Sequence, residues 1–246
     1  MSAVAWIGAA LGLLGSAGLG GLVKTWLDHK RERRAQSDGV ALELVKTLGV
    51  RVDQLEDALS EERARCEADG IAGRVTWTAL FVKLGASIDR AEELALAAVV
   101  HFPAYEVTTT AQRLAHLMAQ LGHESGGFRY MEEIASGAAY EGRSDLGNTS
   151  PGDGRLFKGR GPIQITGRAN YRAFGRQIGI DIERHPEIAA VPSIGLHLAL
   201  EYWRDRKLNA LADADDIETI TRRINGGLNG IADRRARLAR IKELVR

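Results

Sequence analysis

The sequence predicts a mainly α-helical domain, preceded by an N-terminal hydrophobic helix and a helical stalk. Three observations predict it. From about residue 75 onward apolar residues recur at helical spacing, as in "TTTAQRLAHLMAQLGHE". No run of alternating polar and apolar residues appears that would build a sheet, and no repeat of solenoid period is visible. Ahead of this region lie an uncharged stretch and a heptad-like stretch. The chain of 246 residues is 45% hydrophobic and 26% charged, enough for one sizeable core plus an appendage. A net charge of +1 provides no global field for nucleic acid. The single cysteine, Cys66, excludes an internal disulfide, so core packing must hold the fold.

The first segment, 1–34, contains "AVAWIGAALGLLGSAGLGGLV" at 3–23, without a charge over 21 positions. At about 1.5 Å per residue this approaches the thickness of a bilayer core. Its six glycines make it a weak transmembrane or signal-anchor helix, with a small-residue face suited to helix packing. A cleaved signal peptide fits less well, since no basic region precedes the stretch and no A-x-A site follows. Lys24, Lys30, Arg31, Arg33 and Arg34 behind it favour a cytoplasmic flank. In the second segment, 35–74, Val45, Leu48, Val52, Leu55 and Leu59 alternate at 3-4 spacing. That pattern suits self-association through residues 40–66, or a single amphipathic helix packed on the next domain.

In the third segment, 75–246, the stripe Leu114, Leu117, Met118 and Leu121 ends just before Glu124. Glu124 therefore sits near the C-terminus of a core helix, a rigid mount for a functional acid. Residues 136–162 read as a long ordered loop of the kind that carries function. Helical patterns resume at 168–179, 192–207 and 215–224, and a last helix begins near Asp233. From Arg222 to Arg246 eight Arg or Lys stand against two acids, a solvated face or a patch for an anionic surface.

Two carboxylates in different settings can divide the work of breaking a glycosidic bond: one delivers a proton, the other activates a water. Glu124, at the end of an apolar stripe, suits the protonated acid. Glu133, nine residues on and beside a Gly- and Ser-rich loop, suits the ionised base. Gly126 and Gly127 between them permit a turn and the approach of a bulky substrate. Spacing alone does not separate this reading from a solvated helix face. "GRGPIQITGRANY" at 159–171 and "RRINGGLNG" at 222–230 add amides and hydroxyls suited to sugar groups. A metal reading of His116 and His123 lacks further ligands at suitable spacing, and "SPGDG" at 150–154 lacks the spacing of a calcium loop.

Together "HESGG", "GRGPIQITGRANY" and "INGGLNG", in this order, resemble glycoside hydrolase family 19, over roughly residue 88 to the C-terminus. That family includes plant and bacterial chitinases and many phage endolysins, and this chain is most similar to the compact endolysin type. The resemblance implies a two-lobed, lysozyme-like α-helical hydrolase domain with a central cleft. It also implies an inverting mechanism with about 6.5–9.5 Å between the carboxyl groups, and no metal or cofactor. By resemblance Glu124 is the general acid and Glu133 the general base, with Glu132 and Glu141 as competitors for the second role. Thr166 falls where a hydroxyl helps hold the attacking water. Gln164, Asn170 and Asn225 fall on sugar-contacting positions, and Tyr171 on the cleft wall. Arg234, with Arg235 and Arg237 close by, stands where the family uses an arginine, and the resemblance counts it, with Tyr171, among the substrate-binding positions.

The expected partner is peptidoglycan, or a chitin-like polysaccharide, with the membrane engaged through residues 3–23 and no nucleic acid. An anchored or released periplasmic enzyme and cytoplasmic storage before lysis both follow, because the basic flank conflicts with a periplasmic substrate. The alternative from another class is a membrane-anchored wall-binding or assembly protein without turnover.

Overall fold

The structure is a computed structural model that describes residues 72–245, together with the isolated Asp57. The expected anchor at 3–23 and stalk at 40–66 lie outside the described residues. Among the described residues no helix is long and apolar enough to cross a membrane.

A compact unit begins at Arg74. Its first two helices, α1 (Arg74–Leu84) and α2 (Ile88–Ala104), pack against each other. Phe102 of α2 meets Trp77 of α1 edge to face at 5.0 Å, a geometry that aromatic pairs prefer. Helix α3 (Ala111–Glu124) starts where the Thr110 side chain accepts from Arg113 N, and buries every residue from Leu114 to Gly122. The short α4 (Asp153–Leu156) interrupts the long loop, and α5 (Arg168–Ile178) follows it. Helix α6 (Pro192–Asp205) packs on α2 and α5, and the short α7 (Leu208–Asp213) on α3 and α6. Helix α8 (Ile217–Asn225) is capped by Asp216, and α9 (Ile231–Leu244) lies along α3. The described residues are thus mainly helical, as the periodicity predicts. The turn after residue 84 and the short α7 carry no periodic signal and were not separable in the sequence.

Two details fix the end of α3. Ser125 Oγ donates to Leu121 O and accepts from Phe128 N, which locks the turn that leaves the helix. The ring of Phe128 then stands on Phe81 of α1 at 5.1 Å. Gly127 differs from the expectation of a glycine opened toward substrate. It has φ 79°, and a Cβ there would lie 2.8 Å from Leu84 O, so the missing side chain makes room for the end of α1. At Gly126 the vacant space is filled by the Tyr130 ring.

Gly230, at the start of α9, carries the tightest of these constraints. Its φ is 71°, and a Cβ would lie 2.2 Å from the His123 ring. Gly230→Ala should therefore destabilise by about 2 kcal/mol or more, combining a left-handed backbone with a clash against a ring. Gly226→Ala is the control, because Gly226 has φ 75° but open space around it. Its loss should be only about 1 kcal/mol, from the backbone alone. Thermal unfolding of the two variants checks this, and equal losses would remove the role given to the His123 contact.

Candidate active site

Glu124 is the last residue of α3, and its side chain is 21% exposed. Its Oε1 accepts from Arg234 Nη2 of α9 at 2.5 Å. Arg234 is 1% exposed. It also donates through Nη1 to Gln120 Oε1 and through Nε to Asn229 O. Gln120 in turn donates to Thr221 Oγ1 of α8 at 3.2 Å. One buried polar chain therefore ties α8, α3 and α9 together and ends on the carboxylate. The partner of Glu124 is a guanidinium, where the apolar stripe had suggested an apolar setting. The stripe faces the core along α3, while the carboxylate leaves the helix at its last position and meets α9. Of the three neighbouring arginines, Arg235 pairs with Glu218 and Arg237 with Asp233, so Arg234 alone of these turns inward to Glu124. That burial corrects the expectation of direct sugar contact by Arg234, whose donors are spent on protein acceptors.

Next to Glu124, His123 Nδ1 lies 2.6 Å from Asp233 Oδ2. With an acceptor-only carboxylate opposite, Nδ1 carries the hydrogen. The pair ties the first turn of α9, just after "NGGLNG", to the end of α3. Asn225, the last residue of α8, is exposed and makes only a long 3.4 Å bond to Asn229 O, leaving its amide turned to solvent.

Glu133 belongs to a second group, built by a small set of ladder bonds. Its N donates to Gly159 O at 2.8 Å, Gly161 N donates to Met131 O, and Arg160 and Ile165 exchange both their backbone bonds. Glu133 Oε2 accepts from Gly159 N at 3.0 Å, and Oε1 from the Tyr140 hydroxyl at 3.1 Å. A Cβ on Gly159 would lie 2.7 Å from Gln164 Oε1 and 3.3 Å from Glu133 Oε2, so these two side chains converge over that glycine. Gln164 has φ 57° and is braced by its own bond to Gly161 O. Thr166 Oγ1 donates to Gln164 O, and Asn170 Nδ2 to Thr166 O.

The two competing glutamates are otherwise engaged. Partial burial pushes the Glu132 carboxyl up, but Lys158 and Arg160 outweigh it and hold the group below its ordinary range. Both oxygens of Glu141 accept backbone N–H groups, from Gly152 and Gly154, and so close the turn at 150–154. Tyr171 does not reach the cleft surface. It is fully buried, donates to Lys158 O at 2.7 Å and accepts from Arg160 Nη1. Burial pushes its phenol up to about 12. It supports the loop from beneath, which corrects its expected place among sugar contacts.

Sequence reading missed Tyr140, because nothing in local periodicity marks a residue seven positions beyond Glu133 as its partner. Burial and then the Glu133 carboxylate push the Tyr140 phenol above its usual range, so it stays a donor at neutral pH. Its mount is firm: Tyr140 O accepts from the buried Asn148, and Tyr140 N donates to Gly137 O. Tyr140→Phe should lower kcat about tenfold, the share of a hydrogen bond to a charged group, with little change in KM. Steady-state kinetics with a thermal melt as control is the measurement, and an unchanged kcat would show that Tyr140 serves the loop alone.

Comparison with known proteins bears on this arrangement. The glycoside hydrolase family 19 model, described as chitinase class I, matches residues 53–234. A glycosyl hydrolase family 19 domain-containing protein of Haemophilus influenzae is 36% identical over 151 residues, covering 49% of this chain and 74% of that protein. An endochitinase of Arabidopsis thaliana is 38% identical over 133 residues, covering 54% of this chain but only 46% of the plant protein. Among solved structures, a class IV chitinase from Zea mays superposes with a TM-score of 0.55 at 23% identity, covering 72% of this chain and 93% of that one. Chitinase C from Streptomyces griseus gives 0.53 at 23%, with 63% and 83% covered. At these identities the solved structures show a shared fold.

Proposed function

This chain belongs to glycoside hydrolase family 19, and on that premise we propose that it hydrolyses β-1,4 bonds between N-acetylated sugars with Glu124 as general acid and Glu133 as general base. The observation that carries the reading is the unlike holding of the two carboxylates. Glu124 has one oxygen fixed by a buried guanidinium, which leaves the other for the leaving-group oxygen. Glu133 is held by two neutral donors, Tyr140 and Gly159, beside the amide of Gln164. A base that takes a proton from water must stay ionised and oriented until the water attacks, and two neutral donors serve that state. In this reading Gln164 and Thr166 hold that water, and Asn170 and Asn225 offer amides to sugar substituents. Inversion follows when water attacks the face opposite the leaving group, with the two carboxyl groups about 6.5–9.5 Å apart.

The polymer we assign is bacterial peptidoglycan, the substrate of an endolysin. Support comes from the surplus of positive charge on the described C-terminal region, which suits a polyanionic wall. Chitin is the second reading, because matched plant relatives are named endochitinases. The test is incubation of the full chain with peptidoglycan sacculi and, separately, with chitin oligomers, reading bond position by mass spectrometry and anomer by NMR. Glycosidic cleavage of sacculi with inverted product is expected. Retained configuration would reject the water-activating role of Glu133, and cleavage of chitin alone would reject peptidoglycan.

A further inference from the structure

Three side chains at the ends of α6 and α8 have no part in the proton transfers. Tyr202, on α6, donates its hydroxyl to Ile224 O at 3.2 Å and so abuts the residue that precedes Asn225. The Arg206 guanidinium carbon lies 3.4 Å from the centre of the Tyr202 ring. Arg223 Nη1 donates to Arg206 O at 2.7 Å. These contacts make one unit of the end of α6 and the end of α8. That unit stands near Glu124 through α8, whose Thr221 accepts from Gln120, about one helical turn before Glu124 on α3.

The unit carries excess positive charge. Arg206 has a carboxylate partner in Asp205, at 3.3 Å and on the half-exposed surface. Arg222 and Arg235 share the single carboxylate of Glu218. Arg223 forms no ion pair among the described residues, and its remaining donors face outward. An arginine stacked on a ring is already ordered, so it loses little freedom when its fork takes a carboxylate. A neutral N-acetylglucosamine polymer offers such a fork nothing beyond what water offers.

We infer that Arg206 and Arg223 form a carboxylate-recognising rim on the Glu124 side of the cleft, fitted to a glycan whose sugars bear acidic peptide stems. This rests on the hydrolase reading above and names the part of the molecule that selects peptidoglycan over chitin. Both guanidinium groups are solvent-accessible, so the effect is moderate and screened by salt, with a Debye length of about 10 Å at 0.1 M.

The test compares the full chain with its Arg206→Gln/Arg223→Gln double variant on three substrates: intact sacculi, sacculi whose free carboxylates have been capped as methylamides by carbodiimide coupling, and chitin hexamers. On intact sacculi the double variant should lose about tenfold in kcat/KM. On the other two substrates it should lose less than twofold. Arg206→Lys/Arg223→Lys should recover part of the loss, which separates charge from folding. Equal losses on all three substrates, or none, would overturn the rim. Co-sedimentation of the Glu124→Gln protein, with and without the two arginine changes, gives the same comparison without turnover. If the unmodified chain cleaves none of the three substrates, the hydrolase reading fails while this binding comparison still decides the rim. A preference for intact over carboxylate-capped sacculi that needs the arginines supports it, and equal binding rejects it.

Discussion

Glu124→Gln should lower kcat by about 10²–10⁴-fold, the contribution of a positioned general acid, while KM changes little. The substitution keeps the shape of the side chain. Its amide oxygen can still accept from Arg234 Nη2, so the buried chain from Thr221 through Gln120 to Arg234 stays closed. What it removes is the ability to hand a proton to the departing sugar oxygen. Because the fold persists, the variant should still sediment with sacculi and unfold within a few degrees of the parent. Steady-state kinetics with a thermal melt as control is the measurement. Residual kcat within tenfold of the parent would take the acid role away from Glu124.

Arg234→Ala should damage both stability and activity. Arg234 is buried and serves Glu124, Gln120 and Asn229 at once. Its loss leaves Gln120 Oε1 buried without a donor and Glu124 without its counter-charge. The expected cost is about 3 kcal/mol, the low end for breaking a buried pair. The low end applies because Glu124 keeps contact with solvent. In a domain of this size that corresponds to a fall of roughly 10 °C in Tm. Arg234→Lys should be intermediate, because one ammonium cannot span acceptors that a guanidinium reaches in different directions. Differential scanning calorimetry reads this directly. A Tm within 2–3 °C of the parent, the shift that about 1 kcal/mol gives, would mean the buried chain is not what holds α9 to α3.

Much of the architecture was legible beforehand because helices announce themselves locally. The stripe before Glu124 predicted the helix that spans Ala111–Glu124, and the patterns at 168–179 and 215–224 fell on α5 and α8 within two residues at each end. The loop at 136–162 was legible from its Gly, Ser and Pro content. Its internal order was not, because Asp153 and Asn148 organise it by reaching Arg168, outside the loop. Gly127 was misread for a similar reason, since the backbone it admits belongs to α1, more than forty residues earlier.

The sequence by itself determined the mainly helical class, the family and the three segments that carry the candidate site. Each of these rests on residues close together in the chain. Only the tertiary structure decided how the three candidate glutamates divide: Glu132 to two cations, Glu141 to backbone amides, and Glu133 to Tyr140 and Gly159. It also decided which arginine meets Glu124, a contact across 110 residues, and which of the expected sugar contacts, Tyr171 and Arg234, are buried supports. The physical reason is common to all of these. Periodicity records which face of a helix avoids water, but a hydrogen-bond partner is chosen by the packing of elements that the chain brings together only on folding.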